Sequence, residues 1–470
     1  MNVIKLKFSL KQVTPMIHFQ DDDEATIRAT ELKPKLDRFI LSWLAYEKEE
    51  KKWTKQKIDS EAKMLKQTVK DLKDKAWLVD QYQVHQYHAL NYKMRIKAEN
   101  KVNRDFRYGN AVYILNKGKY KSSNKGKYKS SFYSKIIIDI TCFNQELANR
   151  IKELLPILID LTAFGLQQSK GYGNFRVSKI NNQDYKDNIE NNLLKAINHF
   201  KSEHILVYKL ELDKEKNDKI NTDYAVALNA IAEYNRFLKS GLRQDNEYIP
   251  SVIMKRYFKQ DSNNIINEKK AMKQKLYLAK YNIENLTHHD NEKFINNYDF
   301  SDSDKIYYTR GLLGFAQLYQ FSLCIKKNRD KFDSIPRDKN GKEKKAFWKG
   351  FDVKGKIGKE EISRFPSPLH YHVSENYKEI YIIINNNALI SLQNANPKIV
   401  FNERYNKDEK KRKKEHKIQF TAQLPDTEKF DFESFFEIAG LNEFLSISDA
   451  KKNSDRKYFL TKLEEDQNER

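Results

Sequence analysis

A chain of 470 residues has room for two or three domains, and 39% apolar and 12% aromatic content excludes a disordered one. The 87 Lys and Arg against 65 Asp and Glu leave +22, which draws polyanions: nucleic acid or an anionic membrane surface. Two cysteines, Cys142 and Cys324, argue against a multi-disulfide framework and a Cys-rich zinc site, and no apolar run reaches bilayer-spanning length, so a soluble, cytoplasmic protein is expected.

Residues 2–10 alternate Val3, Lys5, Lys7 and Ser9 with Ile4, Leu6, Phe8 and Leu10, which predicts a half-buried strand. Thr14-Pro15 ends it, and the acidic run Asp21-Asp22-Asp23-Glu24 follows. A helix is expected over 30–46, with Leu32, Leu36, Phe39, Ile40, Trp43 and Leu44 on one face and Pro34 tolerated near its first turn. Leu65, Val69, Leu72, Ala76 and Val79 predict an inserted amphipathic helix within 47–79. Strands are expected at 84–96, 106–115 and 132–141. The last two are joined by Asn116–Ser123, repeated unchanged as Asn124–Ser131, which reads as a duplicated basic hairpin tip. A helix over 146–164 carries Pro156, which predicts a kink or a broken turn, and a glycine-bearing loop leads to a strand at 175–180. Strand, helix, strands, helix, strand is the order of a ferredoxin-like module, placed here at 1–190. The remainder, 191–470, opens with a strand at 204–212 and a helix at 223–238. A mainly helical stretch to about 325, strands at 369–373, 380–384 and 418–423, and a Phe-rich helix near 432–441 complete it. The expected class is α+β, with two tandem ferredoxin-like modules carrying helical insertions.

The charge is clustered. Residues 93–135 hold 13 basic residues against two acidic ones, and 326–359 hold 13 against five. Basic stretches with interleaved aromatics suit a phosphate backbone and stacked bases. Within 164–175, Gly165, Gly171 and Gly173 permit positive φ and close backbone approach to a phosphate, with Lys170 and Arg176 adding charge. The strand follows these glycines, which argues against a dinucleotide fingerprint.

A helix, then Gly165-Leu166-Gln167-Gln168-Ser169-Lys170-Gly171-Tyr172-Gly173, then a strand resembles the C-terminal signature of the RAMP superfamily of CRISPR-associated proteins. Gln167 stands where many members have another glycine. Val13-Thr14-Pro15-Met16, followed by the run Ile27 to Leu36 with Arg28 and Lys33, is similar to the opening of RAMP modules. Gly311-Leu312-Leu313-Gly314-Phe315 and Arg364-Phe365-Pro366-Ser367-Pro368-Leu369 are similar to elements of two-module RAMP subunits, most like the first-numbered subunit of the Cmr (type III-B) complex. The resemblance implies an RNA-binding subunit of a type III effector in antiviral defence, with CRISPR RNA, target RNA and other effector subunits as partners and no membrane. The expected RNA contacts are Gly165, Lys170, Gly171, Tyr172, Gly173, Arg176, Arg28, Lys33, the hairpin lysines Lys117, Lys119, Lys125 and Lys127, and Arg364. Tyr172 and Phe175 are expected to stack or pack.

No catalytic residue, metal ligand or cofactor is assigned. Asp21, Asp22 and Asp23 are nuclease candidates by similarity to RNA-slicing subunits, weighed against an acidic solvated turn, and His18 beside them is a candidate for metal-independent cleavage. Adjacent His288 and His289 point apart and make a poor metal site. His370 and His372 share a strand face and either touch RNA, form an acid–base pair or serve the fold, and His85 and His88, on opposite faces of a strand candidate, are weighed in the same way. The alternative function is a metal-independent RAMP endoribonuclease processing CRISPR repeat RNA. A general polyanion or membrane-surface binder is what charge alone would allow.

Overall fold

The computed structural model describes residues 3–17, 26–47, 65, 67–72, 77–78, 89–102, 132–200, 205–212, 224–244, 247–249, 251–257, 266–269, 271–272, 305–315, 318–324, 346–362, 365, 367–404, 419–425, 430–440, 447–449, 454–456 and 458–464. His18, Asp21 to Glu24, His85, His88, the hairpin lysines, His288 to Asp290 and Arg364 lie outside these, as does the expected strand at 106–115.

Alternation decides the first strand, β1 (Ile4–Gln12): Leu6, Phe8 and Leu10 are buried, while Lys5 and Lys11 are exposed. Helix α1 (Ala29–Glu47) turns Leu32, Leu36, Ile40, Leu41 and Trp43 inward, with Pro34 inside it. Two further strands, β2 (Tyr92–Lys101) and β3 (Tyr133–Cys142), precede helix α2 (Gln145–Leu161), whose first turn is capped by Asn144 Oδ1 accepting from the Leu147 N–H at 3.0 Å. Strand β4 (Phe175–Ile180) and the short β5 (Gln183–Asp184) follow. The sheet runs β2-β3-β1-β4-β5, antiparallel throughout. Leu6, Phe8, Leu10, Ile136, Ile138 and Ile140 join the inner faces of α1 and α2 in one core. Each such side chain contributes roughly 1.5–3 kcal/mol on burial. Helix α2 runs unbroken through Pro156, which is itself buried, so of the expected kink or broken turn the broken turn does not occur.

The chain forms two compact units, each discontinuous in sequence, whereas the expected division at 190 is contiguous: 1–235 with 369–386 and 442–470, and 236–368 with 387–441. The first unit also contains helix α3 (Ile189–Phe200) and a second antiparallel sheet. Its strands, in spatial order, are Leu369–Val373, Glu379–Asn385, β6 (Ile205–Leu212) and Tyr458–Lys462. Helix α4 (Tyr224–Lys239) buries Leu228, Ile231, Tyr234 and Phe237.

In the second unit, antiparallel strands Leu318–Cys324, Ala346–Ile357, Lys398–Arg404 and Gln419–Ala422 enclose Phe351, Val353, Ile399, Phe401 and Phe420. The stretch expected to be mainly helical instead holds, among the described residues, a hairpin of Leu242–Gln244 with Glu247–Ile249 and the strand Leu318–Cys324, beside short helical turns at Val252–Tyr257 and Thr309–Leu313. Part of the second basic block is the strand Ala346–Ile357, in which buried Phe351 and Val353 alternate with Asp352 and exposed Lys354. The strand expected from 84 begins at Tyr92 and runs on to Lys101, with Leu90 bridging Leu78 before it.

Candidate nucleic-acid interface

The glycine loop closes on itself and on the end of β1. Gly165, Gln167, Gly171 and Gly173 all have φ between +62° and +80°. The Phe164 N–H donates to Gly173 O at 2.9 Å, and the Gly173 N–H donates to Pro15 O at 2.9 Å. Leu166 N–H reaches Ile17 O at 2.7 Å, Lys170 N–H reaches Gln167 O at 2.9 Å, and Gly171 N–H reaches Gln168 O at 3.2 Å. On the α1 side, Gly165 N–H donates to Glu31 Oε1 at 3.3 Å, while Lys35 Nζ reaches Ala163 O at 3.3 Å and sits 4.5 Å above the Phe164 ring. Burial pushes the Lys35 ammonium pKa down, against the raising effect of the Glu31 carboxylate. The three sequence segments that carry the RAMP resemblance in the first half therefore meet in one place.

Glycine is required here for packing. A Cβ on Gly173 would stand 1.9 Å from Phe164 O, and one on Gly165 would stand 2.6 Å from Ile17 O. One on Gly171 would meet Ile231 Cδ1 of α4 at 2.4 Å. The N–H groups of Gly165, Gly171 and Gly173, expected to approach a phosphate, are spent inside the fold.

Asn174 is fully buried and ties the loop to the second sheet of the same unit. Its Nδ2 donates to Tyr371 O at 3.2 Å, and its Oδ1 accepts from the Val373 N–H at 3.1 Å. His372, also buried, has Nε2 at 3.2 Å from Phe175 O, and burial pushes its pKa down to about 4. Burial, with Lys35 nearby, does the same to His370. Both rings are therefore neutral at pH 7, and His372 serves the fold.

The expected contact residues divide. Tyr172 and Phe175 pack in the interior, at 2% and 0% exposure. Arg176 is buried, 3.6 Å from Asp160 and hydrogen-bonded to Asp187 O. The Asp160 carboxyl is pushed up to about 6 by burial, with Arg176 and the Asn192 amide at 2.7 Å pulling the other way. Lys33 spans Asp37 at 2.7 Å and Leu90 O at 3.0 Å. Lys170 and Arg28 are half-buried at the margins. The family motifs do not mark Lys5, Lys7, Lys93, Arg95 and Lys97, although the last three open the basic cluster at 93–135. Their signal was the period of two shared by β1 and β2, which acquires meaning once the pairing of both strands with β3 is known.

The comparisons with known proteins match this frame. A family model described as the Cmr1 N-terminal domain matches residues 3–242, and one described as the Cmr1 C-terminal domain matches 248–464. The chain belongs to the Cmr1 family. It is thus a member of the RAMP group whose resemblance the glycine loop carries, in the subfamily of the type III-B Cmr complex. Among solved structures it is similar to the crystal structure of Cmr1 from Pyrococcus furiosus in its apo form, at 8% identity and a TM-score of 0.36, covering 81% of this chain and 88% of that one. No curated protein matches. No helix among the described residues is long and apolar enough to cross a membrane.

Proposed function

We propose that this Cmr1-family chain is an RNA-binding, non-catalytic subunit of a type III CRISPR ribonucleoprotein effector, acting in the cytoplasm in antiviral defence beside other effector subunits. The observation that carries the reading is the convergence of Pro15, Ile17, Glu31, Lys35 and the 165–173 loop at the end of β1. A loop so braced offers a rigid margin on which half-exposed Lys170 and Arg28 meet guide or target phosphates, and the repeat lysines Lys117, Lys119, Lys125 and Lys127 are further proposed phosphate contacts. Gly165, Gly171, Tyr172, Gly173, Arg176 and Lys33 contribute by holding that margin in shape, and Arg364 is a further contact. Two ferredoxin-like modules are the proposed architecture in which this margin is presented.

The test is incubation of the purified chain with labelled CRISPR repeat RNA in EDTA. Retained, intact RNA supports the proposal. Discrete cleavage that is lost in His18→Ala replaces it with the metal-independent endoribonuclease. Binding that ignores RNA and follows anionic vesicles removes both.

A further inference from the structure

The side of the first sheet turned away from α1 and α2 carries cations in register. On β1, Lys5, Lys7 and Lys11 alternate with the buried Leu6, Phe8 and Leu10. On β2, Lys93, Arg95 and Lys97 occupy the matching positions. Both strands pair with β3. Lys5 and Lys93 therefore flank Thr141, Lys7 and Arg95 flank Asp139, and Ser9 and Lys97 flank Ile137. The result is two basic rows two strand spacings apart, about 9.5 Å, with cations every two residues, about 6.6 Å, along β2 and the same spacing on β1 interrupted by Ser9.

Lys5, Lys11, Lys93, Arg95 and Lys97 are exposed and Lys7 is half-buried. Lys5, Lys93, Arg95 and Lys97 form no ion pair among the described residues. Among the described residues, their acidic neighbours on this face by register are Asp139, between Lys7 and Arg95, and Glu99, which is occupied by Lys135 at 2.9 Å, while Lys11 at the end of the β1 row pairs with Glu375 at 3.5 Å. Among the described residues, the floor between the rows is Thr141, Asp139 and Ile137, with no aromatic ring to receive a base. At its other end the β1 row stops at Lys11, where Val13 and Thr14 N–H groups bond Asn174 O of the glycine loop.

We infer that this face is a second nucleic-acid site, a track along β3 that grips the ribose-phosphate backbone of single-stranded RNA and leads it to the glycine loop. The inference rests on the RNA-binding reading above and extends it to a surface the family motifs do not mark. Four unpaired cations in two rows need counter-charges at a regular spacing, which a polyphosphate supplies. Platforms that bind bases do so with exposed aromatics. Their absence from the floor makes this grip indifferent to sequence.

The experiment uses the full chain and a triple variant, K93Q/R95Q/K97Q, with labelled oligo-U and oligo-A RNA of about 15 nucleotides. Anisotropy titrations run from about 50 to 300 mM KCl. A second triple, K356Q/K359Q/K398Q, removes the same charge from exposed positions of the other unit. At about 0.7 per neutralised phosphate on a single strand, the first triple lowers the log–log salt slope by about 2. Affinity at moderate salt falls at least tenfold, equally on both RNAs, and the second triple changes little. Single K93Q and K97Q variants, each lowering the slope by about 0.7, guard against a folding defect in the triple. An unchanged slope in the first triple, an equal loss in both triples, or a loss confined to one homopolymer overturns the track and leaves the broader reading standing. A wild-type chain that binds neither RNA at 50 mM KCl removes both.

Discussion

Replacing Gly173 by alanine tests how the glycine loop is built. The added Cβ meets Phe164 O at 1.9 Å, Phe164 C at 2.9 Å and Phe164 N at 3.1 Å, all backbone atoms that cannot rotate away. With φ at +74° the residue also takes on the left-handed penalty, about 1–2 kcal/mol. Relief of the clash requires the loop to move off its partners, which forfeits the Phe164 N–H to Gly173 O and Gly173 N–H to Pro15 O bonds, about 0.5–1.5 kcal/mol each. The sum is about 2–5 kcal/mol, a lowering of the melting temperature by roughly 4–10 °C for a unit of this size. Gly358→Ala is the matched control: φ is +57°, but no atom lies within 4 Å of the added Cβ. It forfeits the conformational part alone, about 1–2 kcal/mol. Thermal melts of both variants by circular dichroism decide the matter. Equal destabilisation would refute the claim that Gly173 is needed for close backbone approach. RNA affinity in Gly173→Ala falls only together with stability, because the N–H of Gly173 is already bonded.

Three further outcomes follow from the same geometry. Gly171→Ala is cheaper than Gly173→Ala because its main obstacle is Ile231 Cδ1, the end of a flexible side chain. Adding Ile231→Val recovers part of the loss in a double-mutant cycle, and strict additivity would count against the contact. Asn174→Ala strands the Val373 N–H and Tyr371 O in the interior, at about 1–3 kcal/mol each, and a urea midpoint no lower than wild type would contradict this. His372 has a folded pKa near 4, below the unfolded value of 6.5, so its contribution is complete above pH 6.5 and is lost as pH falls toward 4. His372→Asn flattens stability against pH in that window. Asp160, raised to about 6, has the opposite sign: its contribution is present below about pH 3.8 and lost as pH rises through 6. Asp160→Asn steepens the fall in stability toward acid, and melts between pH 4 and 7 in which neither variant changes the slope would refute both assignments.

The elements that were legible are those whose burial pattern is written locally. β4 (Phe175–Ile180) is bounded by glycine on one side and Asn181-Asn182 on the other, and both asparagines adopt positive φ in the turn. β1 and α1 announce themselves by periods of two and 3.6. The strand Ala346–Ile357 was hidden because Gly350, Gly355 and a run of lysines mask the alternation of Phe351 and Val353. Within the candidate site, the sequence marks the glycines but not the direction of their N–H groups, which for Gly165 and Gly173 is set by Glu31 and Pro15, more than 130 residues away in the chain. The basic rows of β1 and β2 were illegible for a related reason: more than 80 residues separate Lys5 from Lys93, and their common neighbour Thr141 is fixed only by strand register.

Photo-crosslinking of 4-thiouridine RNA to the intact chain, with the attached peptides identified by mass spectrometry, tests the central claim most directly. The account predicts crosslinks on peptides covering β1, β2 and the 165–173 loop, diminishing as salt rises. Crosslinks confined to peptides from 236–368 and 387–441, or none under conditions where a known RNA binder is labelled, would contradict it.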